Sequence, residues 1–238
     1  MNLVRTVEAA RVHGAAPELV WYTSYGSNMH RDRLACYLAG GTPAGAGRSY
    51  PGCRDPRAPA RSVPVELPGR LYFATKSPVW TGGRAFYDPA AAGRTRARAH
   101  LVTAQQFSDI AAQEMYREPG PDLDLTEVLR SGRDERGPGR YETLVCAGTL
   151  EDIPVLTFTA PWVMHDVDWV KPSAAYVSYL AAGLLESGAW TAASIAGYLA
   201  RCPGAAGHWS PDRILSLLTP WHPDGPTPDG PTPDGPTP

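Results

Sequence analysis

Apolar and polar positions follow two rhythms along this chain. The run Leu19-Val20-Trp21-Tyr22-Thr23 is rich in β-branched and aromatic residues and predicts a strand. It breaks at Tyr25-Gly26-Ser27-Asn28-Met29, after which Leu34, Tyr37 and Leu38 recur at helical spacing. Residues 40–68 are dense in Gly, Pro and Arg and predict mostly loop, long enough to be functional or mobile. Strands are predicted over 69–74, over 84–87 behind the Gly82-Gly83 turn, and over 97–102. Thr103 and Gln106 form a capping box that opens a helix, with Phe107, Ile110 and Ala111 as its inward stripe. A polar connection broken by Gly and Pro occupies 117–140. Residues 141–150 and 154–158 then read as a hairpin turning at Glu151-Asp152.

Three helices close the pattern. The first starts at Ser173 and faces inward with Tyr176, Val177, Leu180 and Leu184, and Gly188 follows its end. The second is capped by Thr191 and buries Ile195, Tyr198 and Leu199. The third is short, running from Ser210-Pro211 to Leu218. The resulting division is a poorly ordered arm over 1–18, one domain over 19–218, and a tail over 219–238. That tail holds a PDGPT repeat with no apolar payload, which predicts disorder.

Composition changes this picture only a little. With 43% hydrophobic residues, seven Trp and eleven Tyr, the 238-residue chain has material for a core. A formal net charge of −2 gives no global field toward nucleic acid or membranes. Bases do outnumber acids between Arg48 and Arg98, which reads as solvated surface or as a lure for an anionic substrate. No stretch reaches the roughly 18–20 apolar residues of a spanning helix. Cys36, Cys53, Cys146 and Cys202 are scattered without metal-ligand spacing, and no secretory h-region precedes the domain, so free thiols in a cytoplasmic protein are expected. The sequence His165-Asp166-Val167-Asp168 lacks a second His at i+4 and reads as a surface turn. No phosphate-binding loop or nucleophile elbow is present.

Two places carry candidate chemistry. A strand that breaks at Tyr25-Gly26-Ser27-Asn28 and enters a helix leaves backbone N–H groups free to hold an anion or oxyanion. Gly26 would let a ligand approach closely, and Ser27 or Asn28 could cap the helix. The second place is Glu114, seven residues after Phe107 on the same stripe. Burial there would raise its pKa toward neutrality and suit it to moving protons. The alternative is a frayed helix end at which Glu114 pairs with Arg117.

The combination resembles the gamma-glutamylcyclotransferase-like family over residues 19–200. The matching features are the strand ending in YGSNM, the helix with QFSDIAAQE, the hairpin YETLVCAG…PVLTFTA, and the helix opening PSAAY and closing GLLESG. The resemblance implies an α+β fold, a small mixed β-barrel surrounded by helices. It implies a site where the YGSN turn meets Glu114 as the catalytic acid–base, with Tyr25, Gly26, Ser27, Asn28 and Tyr176 binding substrate. It also implies cyclisation of a γ-glutamyl amine or peptide to 5-oxoproline, needing no metal and no cofactor. The expected partner is thus a small γ-glutamyl substrate, with no nucleic acid and no membrane. Met29 stands where the family usually has Leu, and Tyr116 follows Glu114 too closely to match the family's later Tyr. That missing Tyr motivates the alternative, a non-catalytic small-ligand-binding module on the same fold.

Overall fold

A computed structural model describes residues 2–8, 17–43 and 49–218. The expected disordered tail lies outside the described residues, as do positions 9–16 of the N-terminal arm. Within that arm, Arg5–Thr6 form strand β1. The long middle of the chain alternates strands and helices. It runs β2 (Leu19–Ser24), a 3-10 turn (Ser27–Met29), α1 (Arg31–Ala39), β3 (Arg61–Pro68), β4 (Arg70–Lys76), β5 (Gly83–Asp88), β6 (Arg94–Thr103) and α2 (Ala104–Glu114). Then come α3 (Thr126–Ser131), β7 (Arg133–Glu135), β8 (Thr143–Leu150), β9 (Ile153–Thr159), α4 (Ala174–Glu186), α5 (Ala192–Ala200) and α6 (Pro211–Leu218).

The α+β class holds, but the strands do not close into a barrel. Seven of them pair in the open order β1-β3-β6-β2-β9-β8-β7, and β4-β5 form a separate ribbon. The two edge strands, β1 and β7, span two and three residues and do not pair with each other. Short edges of this kind end a sheet without exposing a long unpaired ladder. Gly69 turns the chain out of the sheet between β3 and β4. Its φ is +107°, and a Cβ there would stand 2.5 Å from the Asp88 carbonyl oxygen.

Two stretches read as irregular hold regular structure. The last eight residues of the predicted 40–68 loop are β3, antiparallel to β6 from Arg61↔Leu101 to Pro68↔Arg94. Pro64 conceals this strand, because proline cannot donate to a ladder. The structure accommodates it because β1 pairs only with Val65 and Glu66, so Pro64 has no strand on its far side. Similarly, α3 and β7 occupy part of the predicted 117–140 connection, each too short to show a period. The hairpin is as expected, with Glu151 and Asp152 at φ +53° and +60° making the left-handed two-residue turn that matches strand twist.

Strand β2 is central, with β6 antiparallel on one side and β9 parallel on the other. Its alternation divides the core. Val20 and Tyr22 face a layer holding Leu34 of α1, Phe107 and Ile110 of α2, and Val128 of α3. Trp21 and Tyr25 face the opposite layer, with Phe73 and Tyr87 of the ribbon and Tyr176, Leu180 and Ile195 of the C-terminal helices. Among the described residues, no helix is long and apolar enough to cross a membrane.

Candidate active site

The turn after β2 sits at the seam between the two layers. Strands β2 and β9 run parallel, and their C-terminal halves open into one cavity. Tyr25, Gly26, Ser27, Asn28, Glu114 and Tyr176 all line it. The six residues singled out from the sequence therefore converge.

Each arrives by a traceable route. In α2 the Thr103 hydroxyl accepts from the Gln106 N–H (3.1 Å), and the Gln106 Oε1 accepts from the Thr103 N–H (3.0 Å), which sets the helix start as the capping box predicts. Phe107 and Ile110 are wholly buried, and eleven residues on from the cap Glu114 ends the helix at the cavity wall. The polar face of α2 is held just as firmly. Asp109 is fully buried and takes the Arg54 guanidinium at 2.8 Å, while Gln106 Nε2 donates to the Asp55 and Arg57 carbonyls. The Arg-rich loop thus docks on α2 and fixes its rotation.

The YGSN turn is clamped from behind. Arg98 Nη1 donates to the Met29 carbonyl (2.9 Å) and to Glu186 Oε2 (2.9 Å). The Arg31 N–H donates to the same Glu186 oxygen (2.9 Å), and His30 Nε2 lies 3.2 Å from Glu186 Oε1. Gly183 lets α4 press directly on the turn, since a Cβ there would meet the His30 nitrogen at 2.7 Å. Both Gly183 and Glu186 belong to the GLLESG segment.

Local details differ from the sequence reading at three points. Neither Ser27 nor Asn28 caps α1. A 3-10 turn intervenes, and the His30 Nδ1 accepts from the Asp32 N–H (3.3 Å). Gly26 has φ −109°, which any residue can adopt. Its smallness instead makes room for Tyr176, whose hydroxyl would stand 3.3 Å from a Cβ. Glu114 is the last residue of α2, but Arg117 pairs with Glu142 rather than with Glu114, so the pairing in the frayed-end alternative fails.

Glu114 meets Asn28 instead. The Asn28 Nδ2 donates to Glu114 Oε1 (2.9 Å) and to the Tyr22 hydroxyl (3.2 Å). Burial raises the Glu114 pKa above the ordinary 4.5, opposed by the Arg33 charge, by hydrogen bonding with Tyr37, by Arg140 and by Asn28. The 3-10 turn uses the Gly26 and Ser27 carbonyls, bonded by the Met29 and His30 N–H groups at 3.1 Å. The Ser27 and Asn28 amides have no acceptor within the turn. Tyr25 donates to the Phe158 carbonyl (2.8 Å), and the Tyr176 hydroxyl accepts from the Ala85 N–H (3.2 Å), so both rings also brace the cavity wall.

Sequence reasoning missed several lining residues, chiefly Arg33, Trp80, Arg84, Arg140 and Tyr141. Tyr141, in the turn before β8, is fixed by a hydrogen bond to the Ala85 carbonyl (2.9 Å) and supplies an aromatic wall of the cavity. Arg140 donates to the Glu114 backbone carbonyl (2.9 Å), with its guanidinium 4.4 Å from the Tyr116 ring centre and 5.9 Å from that of Tyr141.

No protein-family model matches the chain. An alignment 187 positions long, covering 71% of the chain, is 33% identical to histone deacetylase 5 of Arabidopsis thaliana and spans 28% of that protein's length. Among solved structures, an uncharacterized protein from Homo sapiens aligns with a TM-score of 0.48 and 16% identity, over 85% of this chain and 99% of that one. A gamma-glutamyl cyclotransferase aligns with a TM-score of 0.48 and 15% identity, over 84% of this chain and 98% of the other.

Proposed function

We propose that the cavity cyclises a γ-glutamyl amine or peptide, forming 5-oxoproline and releasing the amine. The observation that carries this reading is the direct contact of Asn28, in the YGSN turn, with a single carboxyl group of raised pKa, Glu114.

The chemistry follows from those parts. The substrate's α-ammonium donates to the Glu114 carboxylate, where Asn28 Oδ1, buried and without a partner among the described residues, offers a second acceptor. Glu114 takes one proton, and the freed amine attacks the side-chain amide carbon. A C–N bond forms, and the carbonyl oxygen becomes an oxyanion facing the Ser27 and Asn28 amides. Collapse of this intermediate breaks the original amide bond as Glu114 returns its proton to the departing nitrogen. The carboxylate then takes the remaining surplus proton of the new ring nitrogen and passes it to the released amine, which leaves as an ammonium. Ring closure is intramolecular, so the aromatic walls have mainly to hold a folded conformer and exclude water. A pKa above the usual carboxylate range suits these transfers.

The test is 5-oxoproline release from a panel of γ-glutamyl compounds. Release by the wild-type protein with loss in Asn28→Ala and Glu114→Gln is the expected result, and no release from any donor would exclude the reading.

A further inference from the structure

Among the described residues, three arginines line the cavity without a role in the proton transfers above, and Arg33 is the most deeply buried of them. Arg33 sits in the first turn of α1 and is 3% exposed. Its guanidinium carbon lies 5.0 Å from the Tyr50 ring centre, 5.2 Å from Trp80 and 5.5 Å from Tyr37. One nitrogen, Nη2, donates to the Tyr50 hydroxyl (2.7 Å). The N–H groups on Nε and Nη1 are buried and have no acceptor among the described residues. Nor does any carboxylate of those residues form an ion pair with Arg33, whereas Arg54, Arg61 and Arg98 each have one.

Such an arrangement is costly, because a buried guanidinium loses its hydration and gains too few bonds in return. The aromatic rings hold the cation in place without saturating its donors. What would saturate them is an anion with in-plane oxygens, entering from the cavity that Arg33 lines. The wider balance agrees: among the described residues, Arg33, Arg84 and Arg140 face one carboxylate, Glu114, on the same walls, and the Arg84 Nε is likewise buried without a partner.

From this geometry we propose that Arg33 binds a carboxylate of the ligand, anchoring it while Glu114 works at the amine. For the ligand's identity this rests on the cyclisation reading. Two carboxylates could reach Arg33: the α-carboxylate of the γ-glutamyl group, or a carboxylate on the departing amine.

The experiment measures calorimetric binding of γ-glutamylglycine and of its two mono-amides, one capped at the α-carboxylate and one at the glycine carboxylate. Wild type, Arg33→Gln and Arg33→Lys are compared, with 5-oxoproline followed in parallel. Capping the carboxylate that meets Arg33 should weaken binding to wild type by about 10–100-fold, the usual worth of a charged hydrogen-bonded pair. The same capping should change little in Arg33→Gln, and Arg33→Lys should fall between. The capped position that matters identifies which carboxylate is held. Equal binding of all three ligands by wild type overturns the proposal, as does failure of γ-glutamylglycine to bind, and these arms need no variant. A uniform loss for every ligand in Arg33→Gln also overturns it, since that is the mark of a structural role. Arg33-dependent discrimination without 5-oxoproline would refute the cyclisation and keep the anchor, and turnover without discrimination would do the reverse.

Discussion

Two buried arginines flank the YGSN turn, and the protein treats them in opposite ways. Arg98, on β6, is 7% exposed and has its partners at hand: the Met29 carbonyl and the Glu186 carboxylate. Arg33, on α1, is 3% exposed and leaves two nitrogens without acceptors among the described residues. A saturated guanidinium fastens one backbone segment to another. An unsaturated one, held among aromatic rings beside a half-buried carboxyl, imposes a cost that an incoming ligand can relieve. Fold and site therefore lie back to back across a single turn.

The comparison can be broken most forcefully at Arg98. Replacing it with Met removes the link between β6, the turn and α4, and leaves the Met29 carbonyl unpaired. Because Glu186 is partly exposed, the expected loss is about 3 kcal/mol rather than the full cost of a deeply buried pair. Chemical denaturation would show it as a lower midpoint at unchanged slope. Arg33→Met should behave differently in the same assay. Methionine fills similar space without burying a charge, so stability is expected within about 1 kcal/mol of wild type. A loss as large as that of Arg98→Met would show that Arg33 is structural.

A smaller effect sharpens the Arg98 side. His100, also on β6, is wholly buried and its pKa is held down to about 3, first by burial and then by the Arg98 charge. In the unfolded chain the group titrates near 6.5, so between these values the unfolded state binds a proton that the folded state does not. Stability should decline as pH falls through that window, and His100→Asn should flatten the decline relative to wild type. An unchanged acid slope in the variant would refute the assignment.

Glu114 has the opposite sign. Its pKa is raised in the fold, so the stability it contributes is full below pH 4.5 and is lost as pH rises through the raised value. Glu114→Gln should therefore gain on wild type in relative stability as pH climbs through that range. Thermal melts across the range read the difference directly, and a gap that stays constant with pH would contradict the burial argument.

How far these features were legible in the sequence follows from local physics. The capping box, the Glu151-Asp152 turn and the Ser173 and Thr191 caps rest on neighbours in the chain, and all were readable. Glu114 was readable because a carboxylate on an apolar stripe is anomalous. Arg33 obeys the same logic: it precedes Tyr37 by four residues just as Leu34 precedes Leu38, so it falls beside the buried stripe of α1. Attention to the apolar members of that stripe concealed its charged one. The remaining gaps are long-range. The Arg98–Glu186 clamp joins residues 88 apart, and no local pattern announces it. Strand β3 hid behind Pro64. Open pairing replaced the expected barrel because closure depends on edge strands too short to be visible in a sequence.

The central claim is that Glu114 moves the protons of a cyclisation, and one measurement tests it most directly: 5-oxoproline release by wild type and Glu114→Gln from a common γ-glutamyl donor, across pH. The account predicts release by wild type that rises with pH as Glu114 ionises through its raised pKa. In the Gln variant, which keeps an oxygen for Asn28, release should fall by about 10²–10⁴-fold and lose that pH limb. Full activity with an unaltered pH profile in the variant would contradict it.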